Sequence, residues 1–239
     1  MADKRKKFKS SPKRFHPKGT TLIYEDYDIL VIDKRSGLLT MSNEKVRENT
    51  AYFMLNEYVR KGNYKSKARI FIVHRLDRDT SGLLVFAKSP QAQNFLQEEW
   101  HCFTKTYHAV VNGAPREPEG VITSFLTENK AKRMYSTKVP DEGKESSTRY
   151  KWLRSSPSEE YSLLEMELIT GRKNQIRVHL ADIGCPVAGD RKYGDEAQER
   201  HVKRLALHAS SMTIIHPHTR EEMTFNAETP KILDILMKK

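Results

Sequence analysis

Residues 72–88 read Ile72-Val73-His74-Arg75-Leu76-Asp77-Arg78-Asp79-Thr80-Ser81-Gly82-Leu83-Leu84-Val85-Phe86-Ala87-Lys88. Two apolar runs, Ile70–Val73 and Leu83–Ala87, flank a dense polar segment with one His, two Arg, two Asp, one Thr and one Ser. Short apolar runs bounded by turn formers read as buried strands. A polar loop carried on rigid strands is a favoured place for chemistry.

Working outward, strands dominate. Upstream, Leu22–Tyr24 and Ile29–Asp33 read as a pair joined through Glu25–Asp28, and Ser36-Gly37 marks a further turn. Ala51, Met54, Leu55, Tyr58 and Val59 recur at helical spacing, with Asn49 as the expected cap and Gly62 as the stop. Ser89-Pro90 is an N-cap with Pro at N1, opening a helix to about Trp100. Further strands are expected over Lys105–Val111, Val121–Leu126, Ser147–Leu153, Leu163–Ile169, Leu205–Ile215 and Met223–Phe225. Asn174–Ile183 reads as a helix, and Thr229-Pro230 opens a short terminal one. Runs of strands with few helices between them predict an α+β fold with a mainly antiparallel sheet. There is no GxGxxG and no GxxxxGK[ST], so neither dinucleotide nor P-loop chemistry is signalled.

The chain has 239 residues, enough for one large domain or two small ones. Its mean hydropathy is -0.71 and no apolar run approaches the roughly 18 residues of a membrane helix. Nothing apolar follows the basic start, so no secretory signal is expected. Cys102 and Cys185 cannot build a disulfide framework and lack CxxC spacing, which favours a reducing cytoplasm and no zinc site of that type. His216-Pro217-His218 reads as a turn rather than a metal site. No heptad seam appears, so a monomer without an obligate protein partner is expected.

The formal net charge is +11, which favours a polyanionic partner. Residues 1–18 hold eight bases (Lys4, Arg5, Lys6, Lys7, Lys9, Lys13, Arg14, Lys18) and one acid. This segment is expected to be a disordered tail, either solubilising or phosphate-binding, ahead of one domain over 19–239.

Asp77 has Arg75 and Arg78 at hand in sequence. A neighbouring guanidinium keeps a carboxylate ionised, and an ionised, positioned carboxylate serves as nucleophile or base. The same pattern also suits a structural ion pair or a turn. The kinase motif H-R-D is only superficially matched, since Leu76 intervenes and neither a Gly-rich loop nor D-F-G is present. A glycosidase pair, Asp77 with Asp79, would need its carboxylates on separate faces of a sugar, which one loop rarely offers.

His74-Arg75-Leu76-Asp77-Arg78-Asp79-Thr80-Ser81-Gly82-Leu83-Leu84 resembles the signature of RluA-type RNA pseudouridine synthases. Further stretches resemble that family in order: Val31–Leu38, Lys105–Gly113, Thr170–Leu180, Gly189–Gly194 and Leu205–Ala209. The resemblance spans roughly residues 20–230. Arg35 stands where the family usually has proline, and Asn174 where histidine is common. The S4-type domain that some relatives carry is not expected here.

The resemblance implies a mixed, mostly antiparallel central sheet with flanking helices and an RNA-binding cleft. It also implies isomerisation of uridine to pseudouridine in ribosomal or transfer RNA, without cofactor or metal. Asp77 would be the essential carboxylate, Arg177 would pair with it, and Tyr107 would offer a stacking face and a hydroxyl. His74, Arg75, Arg78, Thr80, Arg172 and Lys173 would contact RNA, with His74 and Thr80 equally readable as residues that shape the loop. Arg191 and Lys192 would extend the phosphate-facing rim. The competing expectation is an RNA-binding protein that kept the fold and lost activity. A chaperone-like role in RNA folding alongside catalysis has no discriminator in sequence.

Overall fold

A computed structural model describes residues 8–42, 48–63, 65–195 and 201–239. The strands are β1 (Thr20–Glu25), β2 (Ile29–Lys34), β3 (Phe71–Ile72), β4 (Ser81–Ala87), β5 (Thr104–Asn112), β6 (Glu119–Glu128), β7 (Met134–Thr137), β8 (Lys144–Ser155), β9 (Tyr161–Leu168), β10 (Leu207–Ile215) and β11 (Glu222–Asn226). The helices are α1 (Ala51–Arg60), α2 (Pro90–Glu98), α3 (Gln175–Asp182) and α4 (Lys231–Leu236). None of the described helices is long and apolar enough to cross a membrane.

The strands form one sheet in the order β1-β2-β4-β10-β5-β9-β8-β6-β7, with β11 on β10 and β3 on β4. All these pairings are antiparallel except β4 with β10. This is the expected α+β fold with a mixed, mostly antiparallel sheet.

Its centre is buried on both faces. Every residue of β4 is buried, as a continuous apolar run requires. Leu30, Ile32, Leu84 and Phe86 face one core with Leu55 and Tyr58 of α1 and Ile176 and Leu180 of α3. Ile29, Val31, Leu83, Val85 and Ala87 face the other, with Ala92 and Leu96 of α2. Period-two alternation thus distributes one apolar run over two cores.

The parallel β4–β10 contact depends on Gly82. Its φ is +114°, and a Cβ there would stand 2.2 Å from the carbonyl oxygen of Ala209. Only glycine tolerates both the angle and the approach. This junction lies immediately after the polar loop that carries Asp77.

Ser89 accepts from the Ala92 amide at 3.1 Å with Pro90 at N1, as expected. For α1 the cap is Thr50, which accepts from the Phe53 amide at 3.2 Å, rather than Asn49. Ile70–Val73 contributes only the two-residue β3, flanked by Ile70 and Val73, which are buried outside the ladder. β7 has no counterpart among the expected strands.

The expected disorder of residues 1–18 does not describe residues 8–18. Lys13–Phe15 form a 3-10 turn, and the Ser11 hydroxyl donates to the Tyr58 carbonyl at 2.8 Å. Phe15 packs against the core beside Gly62. Scattered apolar residues (Phe8, Phe15) are enough to anchor a basic segment when a helix end offers carbonyls. The bases Lys4–Lys7 lie outside the described residues.

Candidate active site

A cleft of about 860 Å³ opens between the β3–β4 loop, β5 and the N-terminus of α3. Asp77, Tyr107 and Arg177 all line it, and so do His74, Arg75, Arg78, Thr80, Arg172 and Lys173. Asp77 and Arg177, 100 positions apart in sequence, therefore meet in one place.

The loop bearing Asp77 is clamped on both sides. Before it, the Leu76 amide donates to the Thr40 hydroxyl at 3.2 Å, and that hydroxyl donates to the Leu76 carbonyl at 2.8 Å. After it, the Arg78 carbonyl accepts from the Gly37 amide at 2.8 Å and the Lys34 ammonium at 3.1 Å. Lys34 has no accessible surface and also donates to the carbonyls of Leu38 at 2.8 Å and Arg35 at 3.0 Å. Burial pushes its pKa down to about 8, although the charges of Asp79 and Asp77 act the other way. Ser36 donates to the Asp79 carbonyl at 2.6 Å. The turn after β2 thus fixes the backbone around Asp77.

Asp77 is half-buried, with its side chain 27% exposed. Burial raises its pKa, and the Arg177 guanidinium opposes that rise. The arginines next to it in sequence do not hold it. Arg75 is exposed, with its guanidinium 3.8 Å from the sulfur of Met41, and Arg78 pairs with Asp79 at 3.2 Å. The sequence-based expectation of a carboxylate held ionised by Arg75 or Arg78 is therefore replaced by a more distant partner.

That partner, Arg177, is itself committed elsewhere. Its Nε and Nη2 donate to the two oxygens of Asp190, both at 2.7 Å, while Nη1 stands 3.5 Å from Asp77 Oδ2. Asp190 is fully buried and also accepts from the amides of Lys192 and Tyr193. The fork-to-fork geometry makes Arg177–Asp190 the strong pair. Asp77 receives only the remaining nitrogen, so its carboxylate is left less stabilised than a directly paired one. Asp190 raises the pKa of Arg177 further, securing its charge.

Tyr107, on β5, is 7% exposed. Burial first, and then the charge of Asp77, push its phenol pKa up, so it keeps its proton at neutral pH. It lines the cleft with its phenol protonated.

The other predicted residues divide. Arg75, Arg78 and Arg172 are exposed on the cleft wall, and Lys173 is exposed beside them in an ion pair with Glu128. His74 instead serves the fold. Its Nε2 accepts from the Val85 amide at 3.1 Å, and its ring stacks on Trp100 with centroids 4.3 Å apart. Burial and the Lys105 charge lower its pKa to about 3, so it stays neutral. Thr80 is 3% exposed and shapes the loop. His74 thus supports the loop, and both residues line the cleft.

His216 stands in the turn after β10, with Asp26 and Asp28 close by. Its Nδ1 accepts from the amides of His218 and Thr219, and its Nε2 meets Asp26 at 2.7 Å. Lys34, Thr40 and Asp190 are not among the site residues expected from sequence. Asp190 lay in a stretch already matched to the family, but its pairing with Arg177 had no local signal.

The RNA pseudouridylate synthase family model matches residues 28–182. The chain is 35% identical to an uncharacterized RNA pseudouridine synthase, YhcT, of Bacillus subtilis, over 87% of this chain and 68% of that protein. It is 41% identical to an uncharacterized RNA pseudouridine synthase of Chloroflexus aurantiacus, over 70% of this chain and 52% of that protein. It is 33% identical to the ribosomal large subunit pseudouridine synthase D of Zymomonas mobilis, over 91% of this chain and 71% of that protein. The chain thus spans about half to seven-tenths of these relatives. Among solved structures, human RNA pseudouridylate synthase domain containing 4 shares the fold, with a TM-score of 0.74 at 23% identity over 90% of this chain and 92% of that one. Matched over more than half its length, the chain belongs to the RluA-type branch of the RNA pseudouridylate synthase family of enzymes.

Proposed function

We propose that this chain isomerises uridine to pseudouridine in ribosomal or transfer RNA, with Asp77 as the essential carboxylate. The observation that carries the reading is Asp77 itself: a half-buried carboxylate of raised pKa, clamped on both sides, at the mouth of a cleft lined by exposed arginines. Such a group is costly to the fold and is characteristic of a reacting centre.

The target uridine leaves its stack to reach the cleft. The base–sugar bond at N1 breaks, the base turns, and C5 joins C1' of the ribose. The C5 proton then leaves and N1, freed from the sugar, takes up a proton, so atoms balance with no added reagent. Asp77 acts as nucleophile or base in this sequence. Arg177 keeps a fixed positive charge beside it, held in place by Asp190. Tyr107 lies against the turning base and takes part in proton transfer near C5 through its hydroxyl. Arg75, Arg78, Arg172 and Lys173 hold flanking phosphates. The protein works as a monomer in the cytoplasm, and residues 1–7 add non-specific attraction to RNA.

The test maps pseudouridine, by carbodiimide-blocked primer extension, in ribosomal and transfer RNA transcripts incubated with the protein. New stops at defined uridines in one of them are expected. Tight RNA binding with no new stop in either would favour a binding protein that kept only the fold.

A further inference from the structure

Asn174 opens α3 in the left-handed conformation, φ +55°, yet its side chain makes no cap bond to the helix. It turns toward the cleft and is 8% exposed. An amide offers donors at one end and an acceptor at the other. With its nitrogen toward Asp77 it donates to Oδ2 at 2.7 Å and Oδ1 at 3.1 Å, and its oxygen accepts from the Tyr193 hydroxyl at 2.9 Å. The reverse orientation would let the amide oxygen accept from Arg177 Nη1 at 3.3 Å, but would press that oxygen against the carboxylate. These contacts are shorter than the 3.5 Å from Arg177.

Tyr193 has a second tie. Its hydroxyl accepts from the amide of Met134, the first residue of β7, at 3.2 Å. Three cations surround its ring: Arg177, Arg133 and Lys192 lie 5.1, 5.2 and 5.4 Å from the centroid. A chain of hydrogen bonds therefore runs from Asp77 through Asn174 and Tyr193 to the turn between β6 and β7. That turn exposes Lys130, Lys132 and Arg133.

We propose that Asn174 is a positioning residue for Asp77, aiming the carboxylate and steadying its ionised form, and that Tyr193 holds the amide in the required orientation. The inference rests on the reading of Asp77 as the reacting group. Other groups face the same carboxylate: Arg177, Asp190 and Lys192 from α3 and the loop after it, Lys34 from β2 and Tyr107 from β5. Arg177 and Lys192 favour its charge, and Asp190 disfavours it. Asn174 adds two neutral donors, which favour the ionised form without adding charge to the cleft.

The test uses Asn174→Gly, Asn174→Asp, Tyr193→Phe and Asp77→Ala, with kcat, KM and pH profiles measured on one RNA substrate. Glycine adopts φ +55° without strain, so the fold tolerates the loss of the amide. For Asn174→Gly, kcat falls about tenfold or more while KM changes by less than about twofold. The acidic limb of the kcat profile rises by about one pH unit. Asn174→Asp moves that limb further up, because a second carboxylate then opposes ionisation. Tyr193→Phe moves it the same way by less. A wild-type kcat and limb in Asn174→Gly, with Asp77→Ala inactive, would overturn the proposal. A lower kcat with an unmoved limb would also overturn it, leaving Asn174 a loop residue. Turnover by Asp77→Ala would sink the assignment of Asp77 itself, and this inference with it.

Discussion

Replacing Asp190 by Asn keeps the shape of the side chain and removes its charge. Asp190 has no accessible surface and the Arg177 side chain is 9% exposed, so water cannot compensate for the loss. Breaking a buried pair by removing one partner costs about 3–5 kcal/mol. Asn retains one oxygen for the amides of Lys192 and Tyr193, which favours the lower end. At this chain length each kcal/mol lowers the melting temperature by about 2–4 °C, so Asp190→Asn should melt about 6–12 °C below wild type. Asp77→Asn should do the opposite at pH 7. Its folded pKa is raised, so between the unfolded pKa and that higher value the folded state binds more protons, and stability falls as pH rises. The penalty is fully present above the folded pKa and disappears below the unfolded one. Asp77→Asn therefore raises the melting temperature at pH 7, and the gain vanishes near pH 3. Differential scanning calorimetry at both pH values reads both effects. A melting temperature for Asp190→Asn within about 2 °C of wild type would refute the reasoning. So would an equal loss in Asp77→Asn, because Arg177 would then lean on Asp77 instead.

Three further outcomes are expected. Gly82→Ala adds a Cβ 2.2 Å from the Ala209 carbonyl oxygen at a φ of +114°. It should cost about 4 kcal/mol, read by denaturant unfolding, and a loss below about 1 kcal/mol would mean β10 yields easily. Alanine at Arg172 and Lys173 together should weaken RNA binding and flatten the log–log salt slope by about one to two, leaving kcat at saturation unchanged. An unchanged slope would place the phosphates elsewhere. Deleting residues 1–7 should flatten that slope with no change in melting temperature, whereas deleting 1–18 should also lower it, since Ser11 and Phe15 pack on α1. Equal stability of the two truncations would show that the packing of 8–18 contributes nothing.

The centre of the fold was legible because burial and periodicity coincide there. The run Leu83–Ala87 is apolar without interruption because both faces of β4 are covered. The Ser89-Pro90 cap was legible because its chemistry is local. β7 was not, since Met134–Thr137 lacks an alternating pattern and becomes a strand by pairing with Phe125–Glu128. Asn49 and Thr50 are both cap formers, and sequence cannot choose between neighbours that differ by one residue.

The site divides along the same line. Asp77, Tyr107 and Arg177 were found as separate motifs, and the fold brings them to one cleft. Adjacency in sequence pointed to Arg75 and Arg78, and only the resemblance paired Arg177 with Asp77. Arg75 and Arg78 are adjacent to Asp77 in sequence but point to the exposed wall, whereas Arg177, 100 residues away, reaches it. Lys34 sits in a motif stretch whose pattern gives no hint that it is buried on three carbonyls. Long-range hydrogen bonds leave no periodic trace in sequence.

The most direct measurement follows tritium release from RNA labelled at uridine C5, with wild-type protein beside Asp77→Ala. Joining C5 to the ribose expels that hydrogen, so release counts turnovers. Release by wild type and none by Asp77→Ala, with equal RNA affinity, is the expected result. Release by both proteins would contradict the central role of Asp77, and release by neither from ribosomal or transfer RNA would contradict the proposed activity.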